Sequence, residues 1–153
     1  MATTAKWKDD LQSLLTTVWG GTDKIASLAN GFGAISDKID HDPVQAAEGS
    51  MLGDIELLIN FATAPTAYIA CYVIRTVDGT NFEKTTAGTT EFVNPQTFVG
   101  NFVFDLATGS QRAIIRGVVL PPDDFKLFVV NNSGQAADSG AVIRIKFYTP
   151  QSV

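Results

Sequence analysis

The chain contains a single cysteine, a single histidine and no apolar run long enough to cross a bilayer. A lone cysteine cannot form an internal disulfide, and Cys71 lies within the apolar run of residues 68–74, so we expect a small buried strand residue rather than a reactive thiol. No spaced cluster of metal ligands occurs, and no glycine-rich dinucleotide loop stands between a strand and a helix. The sequence therefore predicts neither a metal site nor a cofactor.

Acid–base chemistry has few starting points in this sequence. His41 is flanked by Asp40 and by Asp42-Pro43, which is typical of a polar turn. A catalytic triad needs a nucleophile, a base and an orienting acid that converge in space, and neighbours in sequence do not supply that geometry. Carboxylates suited to glycoside hydrolysis could still meet in the fold, the candidates being Asp54, Glu56, Asp105, Asp123 and Asp124. Solvated strand edges and turns explain them more simply, and we predict that the protein is not an enzyme.

Little of the chain is basic, and the formal net charge is −5. Nucleic-acid binding needs basic patches that release counterions from phosphates, so no nucleic-acid partner is expected. The first nineteen residues are too often interrupted by charges to be a secretion signal, and no membrane association is predicted. Four basic residues do lie close together in the C-terminal third: Arg112, Arg116, Arg144 and Lys146. They are explained either by ordinary alternation of solvent-facing residues along strands or by a docking surface for an acidic partner.

What the sequence does contain, from about residue 52 onward, is a succession of strand-length apolar runs separated by turns rich in Gly, Pro, Asn and Asp. This spacing is typical of an antiparallel β-sandwich. The Asp78-Gly79 pair could close a tight hairpin or begin a longer loop, and the Thr-rich stretch at residues 85–90 favours the loop. Six strands are predicted, at about residues 53–61, 67–76, 97–106, 112–120, 125–131 and 141–148.

Alternation within these runs predicts which side chains face the core, because successive strand residues point to opposite sides of a sheet. The same alternation places Phe98 and Leu106 on the face of Phe102 and Phe104. The predicted core comprises Ile55, Leu57, Ile59, Phe102, Phe104, Ile143, Ile145 and Phe147.

The first fifty residues have a different pattern. Apolar residues recur at spacings of three and four between residues 7 and 19, which predicts an amphipathic helix that ends at Gly20-Gly21. We therefore divide the chain into a helical arm, residues 1–22, and a β-sandwich domain, residues 23–153. Residues 24–39 are predicted to form a pair of strands or one bent strand, because two glycines interrupt their helical spacing.

So short a helix is not stable alone, and its apolar stripe must be buried somewhere. It could fold back onto its own sandwich as a lid, or it could reach a neighbouring subunit or another protein as an anchor. We favour the second, since tryptophans near a terminus are typical interface anchors. The predicted partner-binding residues are Trp7, Leu11, Leu15, Val18 and Trp19.

Several segments occur in an order that resembles a group of small virion proteins of tailed bacteriophages. The longest are residues 77–82 (VDGTNF), 112–135 (RAIIRGVVLPPDDFKLFVVNNSGQ) and 141–148 (AVIRIKFY). Residues 28–31 (LANG) and 54–57 (DIEL) are similar to the opening strands of the same group. The segments consist of turns and strands, so they carry over a fold and no catalytic residue.

This resemblance implies a jelly-roll-like β-sandwich that serves as a cement or decoration protein on a capsid. The expected partners are then a major capsid protein or another virion protein, and further copies of the chain itself in a homo-oligomer. The expected location is the virion, after synthesis in the cytoplasm of a bacterial host. Two other functions stay open: a tail or baseplate accessory protein, and a carbohydrate-binding module with Tyr68, Tyr72 and Tyr148 as its aromatic platform.

Overall fold

The fold is all-β, with two antiparallel sheets packed around one main core. The computed structural model describes residues 5–9, 16–17, 25–39, 52–76, 78–83 and 98–152. No helix occurs within these ranges, and hence none that could span a membrane. The strands are β1 (Ala5–Asp9), β2 (Thr16–Thr17), β3 (Gly33–Ile35), β4 (Leu52–Phe61), β5 (Ile69–Arg75), β6 (Phe98–Phe102), β7 (Gly109–Val119), β8 (Phe125–Asn131) and β9 (Val142–Ser152).

The first sheet, which we call sheet A, has the strand order β1-β9-β4-β7, and β2 also pairs with β9. The second, sheet B, has the order β3-β8-β5-β6. Four of the pairings are nested along the chain, since β5 pairs with β6, β4 with β7, β3 with β8 and β1 with β9. Successive nested pairs belong alternately to sheet B and sheet A, so the chain crosses repeatedly between the two layers.

The six strands predicted from apolar alternation are all present, and four of them begin and end within three residues of the prediction. Strand β6 ends at Phe102 rather than near residue 106, and β9 continues to Ser152 rather than ending near residue 148. For residues 24–39 the sequence predicted either a pair of strands or one bent strand, and the structure is closer to the bent strand. Strand β3 pairs with β8, and Ile39, four residues after β3, forms a further bridge to Phe125 of the same strand. Thr76 and Phe82 form a single antiparallel bridge, and Asp78 and Gly79 lie in the loop of this short hairpin rather than in a two-residue turn.

The predicted N-terminal helix is wrong where the structure describes the arm. Residues 5–9 form β1 and residues 16–17 form β2, and both strands pair with β9. Strand β9 offers a row of backbone donors and acceptors, and such tertiary pairing overrides a spacing pattern that favours an isolated helix. The rest of the predicted arm lies outside the described residues.

The main core lies between the inner faces of the sheets, and all eight predicted core residues are buried, each 8% exposed or less. Inward-facing side chains of β4 and β9 meet those of β5 and β8 there, as alternation predicts. Phe104 packs edge-to-face against Phe61, with ring centroids 5.0 Å apart. Cys71 is completely buried in this core, which confirms that prediction, and burial raises the pKa of its thiol to about 12.

Alternation also predicts that Phe98 and Leu106 face the core, and this prediction is wrong, because these side chains are 50% and 77% exposed. Cys71 pairs with Gly100, yet Tyr72 pairs with Phe98, so β6 contains one extra residue, Val99. Such a bulge reverses the alternation on one side of it. Phe98 therefore lies on the face of Tyr72, and Val99 packs against the core instead. Leu106 follows the end of β6, where alternation no longer applies.

Candidate functional site

The outer face of sheet A carries basic and acidic side chains in alternation. Arg144 and Lys146 of β9 lie opposite Glu56 and Asp54 of β4, while Arg112 reaches Glu56 from β7. The predicted basic residues therefore share a face of sheet A, but the acidic residues of β4 run between those of β7 and those of β9. This arrangement is a set of complementary cross-strand charges rather than a continuous positive stripe.

Asp54 holds together the three strands at one end of this face. Its Oδ1 accepts hydrogen bonds from the backbone N–H of Gly117 and from the hydroxyl of Tyr148, both at 2.9 Å. Gly117 has φ +65° in a bulge of β7, where two residues of that strand lie opposite Asp54. Burial, followed by the hydrogen bond to Asp54, raises the pKa of Tyr148. Asp54 is thus a structural carboxylate.

Glu56 is the second carboxylate of this face and is only 7% exposed. Its Oε1 accepts a hydrogen bond from Nε of Arg112 at 2.9 Å, while Oε2 is buried and has no hydrogen-bond partner. The side chain of Arg112 is 61% exposed, so the charges of the pair are desolvated unequally. Among the buried side-chain nitrogen and oxygen atoms of the described residues, this oxygen is the one without a hydrogen-bond partner.

The other candidate carboxylates are tied to separate parts of the fold. Asp124, just before β8 of sheet B, forms an ion pair with Lys38 at 2.7 Å. The backbone N–H of Asp105 donates to Oε1 of Gln111. Asp54 and Glu56 are thus brought to one face, while Asp124 is placed on the other sheet. Within the described ranges, no three potential metal ligands lie together.

His41 lies outside the described residues. So do four of the five predicted partner-binding residues: Leu11, Leu15, Val18 and Trp19. Trp7 belongs to β1, where its backbone is in register with Pro150 of β9. The backbone of β1 thus lies on the chain's own sheet. That the five residues bind a partner stays a prediction.

Sequence reasoning missed the apolar outer face of sheet B. A second cluster of buried residues lies there, separate from the main core: Ala70, Ile74, Phe128 and Val130, with Ile35, Tyr72 and Phe82 packed against them. A signal was present, because residues 69–74 and 127–130 are continuous apolar runs, which are typical of strands buried on both faces.

Aromatic rings follow this face toward the edge of sheet B. The ring of Tyr72 lies 5.5 Å from that of Phe98 and 6.0 Å from that of Phe128. Tyr68 is 41% exposed and precedes β5, whereas Tyr148 belongs to sheet A. The three tyrosines considered for a sugar platform therefore do not lie on one sheet.

Strands β6 and β7 are edge strands of the two sheets and lie next to each other. A cavity of about 310 Å³ lies between them, which we call the edge groove; its lining includes Val73, Arg75, Phe98, Val99, Arg116 and Val119. Beside it the edges approach closely, because a Cβ on Gly100 would lie only 2.9 Å from Cγ2 of Ile115. The edge groove combines exposed apolar side chains with two exposed arginines.

A second cavity, of about 470 Å³, is lined by residues that include Asn60, Gln111, Arg112 and Asp138. Several of its polar groups already bond to neighbouring parts of the chain. The carboxylate of Asp138 accepts hydrogen bonds from the backbone N–H groups of Asn60 and Gly140, both at 2.9 Å. The amide of Gln111 bonds the backbone of Asp105 and Ala107. These bonds hold loops in place and leave the edge groove as the better interaction site.

No protein-family model matches this sequence, and no curated protein or solved structure matches it either. Functional conclusions therefore depend on this chain's own residues.

Proposed function

We propose that the protein is a non-enzymatic structural component of a tailed-phage virion, which binds the capsid lattice and stabilises it as a cement or decoration protein. The nested pairing of strands is the observation that carries the proposal, together with the resemblance of the segments at residues 77–82, 112–135 and 141–148. The fold indicates the architecture, and the resemblance indicates the virion.

The fold we infer is a jelly roll. A long antiparallel hairpin that is folded over into two sheets produces nested pairs that alternate between the sheets. The pairs β1–β9, β3–β8, β4–β7 and β5–β6 alternate in this way, and β9–β4 and β8–β5 join them into sheets A and B. Viral capsid domains and lectins are frequent uses of this architecture.

A role in assembly also agrees with how the polar side chains are used. Asp54, Glu56, Asp124 and Asp138 each hold strands or loops through a hydrogen bond or an ion pair. Stabilising a repetitive lattice needs only modest contacts at each subunit, because an oligomer multiplies them. We therefore propose a homo-oligomer that binds the major capsid protein. A position on the tail or baseplate would use the same surfaces with a different virion partner.

A carbohydrate-binding module is the second candidate, and one specific observation favours it. Tyr68 and Phe98 are 41% and 50% exposed, and exposed rings are the usual platform for sugars on such sandwiches. A glycan array distinguishes this candidate from the first, since a lattice protein would show no selective glycan binding.

The test of the proposed function begins with the neighbouring genes, where we expect a capsid protein, a portal or a terminase. The neighbouring capsid protein would then be assembled into particles, mixed with this protein and sedimented. We expect saturable co-sedimentation with particles and an increase in their thermal stability. Failure to co-sediment, or an increase in stability equalled by an unrelated acidic protein, would contradict the proposal.

A further inference from the structure

Strand β7 is the edge of sheet A, and the structure describes a pairing partner on one side of it only. Within the described ranges β7 pairs with β4 alone, and no described strand pairs with the backbone groups on its other side. It is eleven residues long, whereas the neighbouring edge strand β6 has five. Ile114 and Val119 of β7 are 39% and 67% exposed. A long edge with exposed apolar side chains is a template for a further strand.

The charges along this edge indicate what kind of strand would fit. Strand β7 contains Arg112 and Arg116 and no acidic residue, although the whole chain has a net charge of −5. Arg75 of β5 lines the edge groove together with Arg116, and no carboxylate is among the described residues of its lining. Neither Arg75 nor Arg116 forms an ion pair within the part of the chain that the structure describes.

Asp54 and Glu83 lie near these two arginines, but neither forms an ion pair with them in the part of the chain that the structure describes. Asp54, opposite the bulge that contains Arg116, accepts hydrogen bonds from the N–H of Gly117 and the hydroxyl of Tyr148. Oε2 of Glu83 accepts a long hydrogen bond, 3.5 Å, from the backbone N–H of Arg75. Two exposed guanidinium groups beside apolar side chains are complementary to an acidic partner with apolar residues between its charges.

A second copy of the chain fits this edge poorly. Ile114 is the middle residue of β7, so a two-fold antiparallel pairing that used the whole strand would place Arg112 of one copy opposite Arg116 of the other. Like charges directly opposite each other destabilise a strand pair. The charges therefore favour a different chain as the occupant.

We propose that β7 and the edge groove bind an extended acidic segment of a partner protein, which adds to sheet A as a further strand. Backbone hydrogen bonds to β7 would supply affinity, and Arg75 and Arg116 would select carboxylates at alternate positions. This inference deepens the proposed function and rests on it for the existence of a protein partner, a segment of a virion protein.

The test uses the full chain and a ten-residue peptide that alternates valine and glutamate, with binding followed by fluorescence anisotropy at low salt. A peptide with lysine in place of glutamate is the matched control, and we expect it to bind at least about tenfold more weakly. The double variant Arg75→Gln/Arg116→Gln should lose about tenfold in affinity for the glutamate peptide. Arg144→Gln, which removes a basic residue of β9 outside the edge groove, should change affinity by less than about twofold.

Strand addition is tested on the unaltered protein, so it does not depend on how the variants fold. A glutamate peptide methylated at alternate backbone nitrogens keeps its charges but loses the N–H donors along one edge of the peptide strand. Its affinity for the protein should be at least about tenfold lower than that of the unmethylated peptide. The inference would be overturned by equal binding of the lysine or methylated peptides. It would also be overturned by no binding at all, which would mean that the arginines and the bulge merely prevent edge pairing. Particle sedimentation does not use these peptides, so the two proposals can fail separately.

Discussion

The outer faces of the two sheets differ in chemistry, although their inner faces are alike. On sheet A, the outward residues of the central strands include Asp54, Glu56, Arg144 and Lys146, and Asp54 and Glu56 are bonded to neighbouring strands. On sheet B, the outward residues of β5 and β8 are apolar or aromatic except for Lys126, and Ala70, Phe128 and Val130 are 4% exposed or less. The central strands of sheet B are therefore buried on both sides, whereas β4 and β9 present charged residues on one.

This difference indicates that the two sheets are stabilised in different ways outside the shared core. Burial of a large apolar side chain contributes about 1.5–3 kcal/mol, while a typical internal hydrogen bond contributes about 1 kcal/mol net. We therefore expect substitutions on the outer face of sheet B to affect the free energy of unfolding more than those on sheet A. The predictions below test this order, beginning with the largest effect.

Phe128→Ala should destabilise the protein as much as a substitution in the main core, by about 3–5 kcal/mol. Phe128 is 4% exposed and packs so closely on β3 that a Cβ at Gly33 would lie 2.5 Å from its Cζ. Denaturant unfolding measures the loss, with Phe104→Ala as the core reference. Phe98→Ala, at a half-exposed ring of the same face, should cost less than about 1 kcal/mol. A loss below 1 kcal/mol for Phe128→Ala would mean that sheet B has no second apolar cluster.

On sheet A, Arg112→Met should cost more than Glu56→Met, although both remove the same ion pair. The first variant leaves a carboxylate that is 7% exposed without its partner, at a cost of about 1–3 kcal/mol. The second removes that buried charge and leaves an arginine that water can solvate, so stability should stay within about 1 kcal/mol of the wild type. Urea titrations of the two variants give the order directly. The reverse order would show that the charge on Glu56 stabilises the fold.

Tyr148→Phe should cost about 1 kcal/mol at neutral pH, because it removes the hydroxyl that donates to Asp54. The pKa of Tyr148 is raised in the folded protein. Its contribution is therefore complete below the ordinary tyrosine pKa of about 10 and is lost as the pH rises through the folded-state value. Unfolding curves at neutral and strongly alkaline pH should show the two proteins converging. Tyr68→Phe, at an exposed ring before β5, serves as the control and should leave the unfolding curve at neutral pH nearly unchanged.

The smallest effect is expected for Asp78→Ala, in the hairpin that places Phe82 against the outer face of sheet B. Asp78 accepts hydrogen bonds from the backbone of Asn81 at 2.7 Å and of Thr80 at 2.9 Å, and these bonds hold the pKa of its carboxyl well below the ordinary value. Its contribution is therefore present above about pH 4 and is lost as the pH falls through the folded-state pKa.

Hydrogen exchange measures this local effect, since the amide of Glu83 donates to the carbonyl of Arg75 across the hairpin. Exchange at Glu83 should accelerate in Asp78→Ala, and in the wild type at low pH after correction for the intrinsic rate, while global stability changes little. Unchanged exchange would show that the packing of Phe82, over which Nζ of Lys126 lies 4.7 Å from the ring centroid, holds the hairpin without Asp78.

Much of the sandwich could be predicted from sequence because alternation is a local property. Ile55, Leu57 and Ile59 follow one another at every second residue, and whichever strands pair with β4, these three side chains share a face. The candidate site was less predictable. The edge groove combines Arg75 of β5, Phe98 of β6 and Arg116 of β7, and no spacing in the sequence shows that three separate strands meet there.

By itself, the sequence determined the all-β class, the main turns and most of the core, because apolar alternation and turn chemistry act over a few residues. Only the tertiary structure decided that residues 5–9 form a strand on β9, that the bulge in β6 turns Phe98 outward and that sheet B is apolar on both faces. The physical reason is that backbone pairing, strand register and the covering of an outer face depend on contacts between residues far apart in the chain. A local pattern contains no information about those contacts.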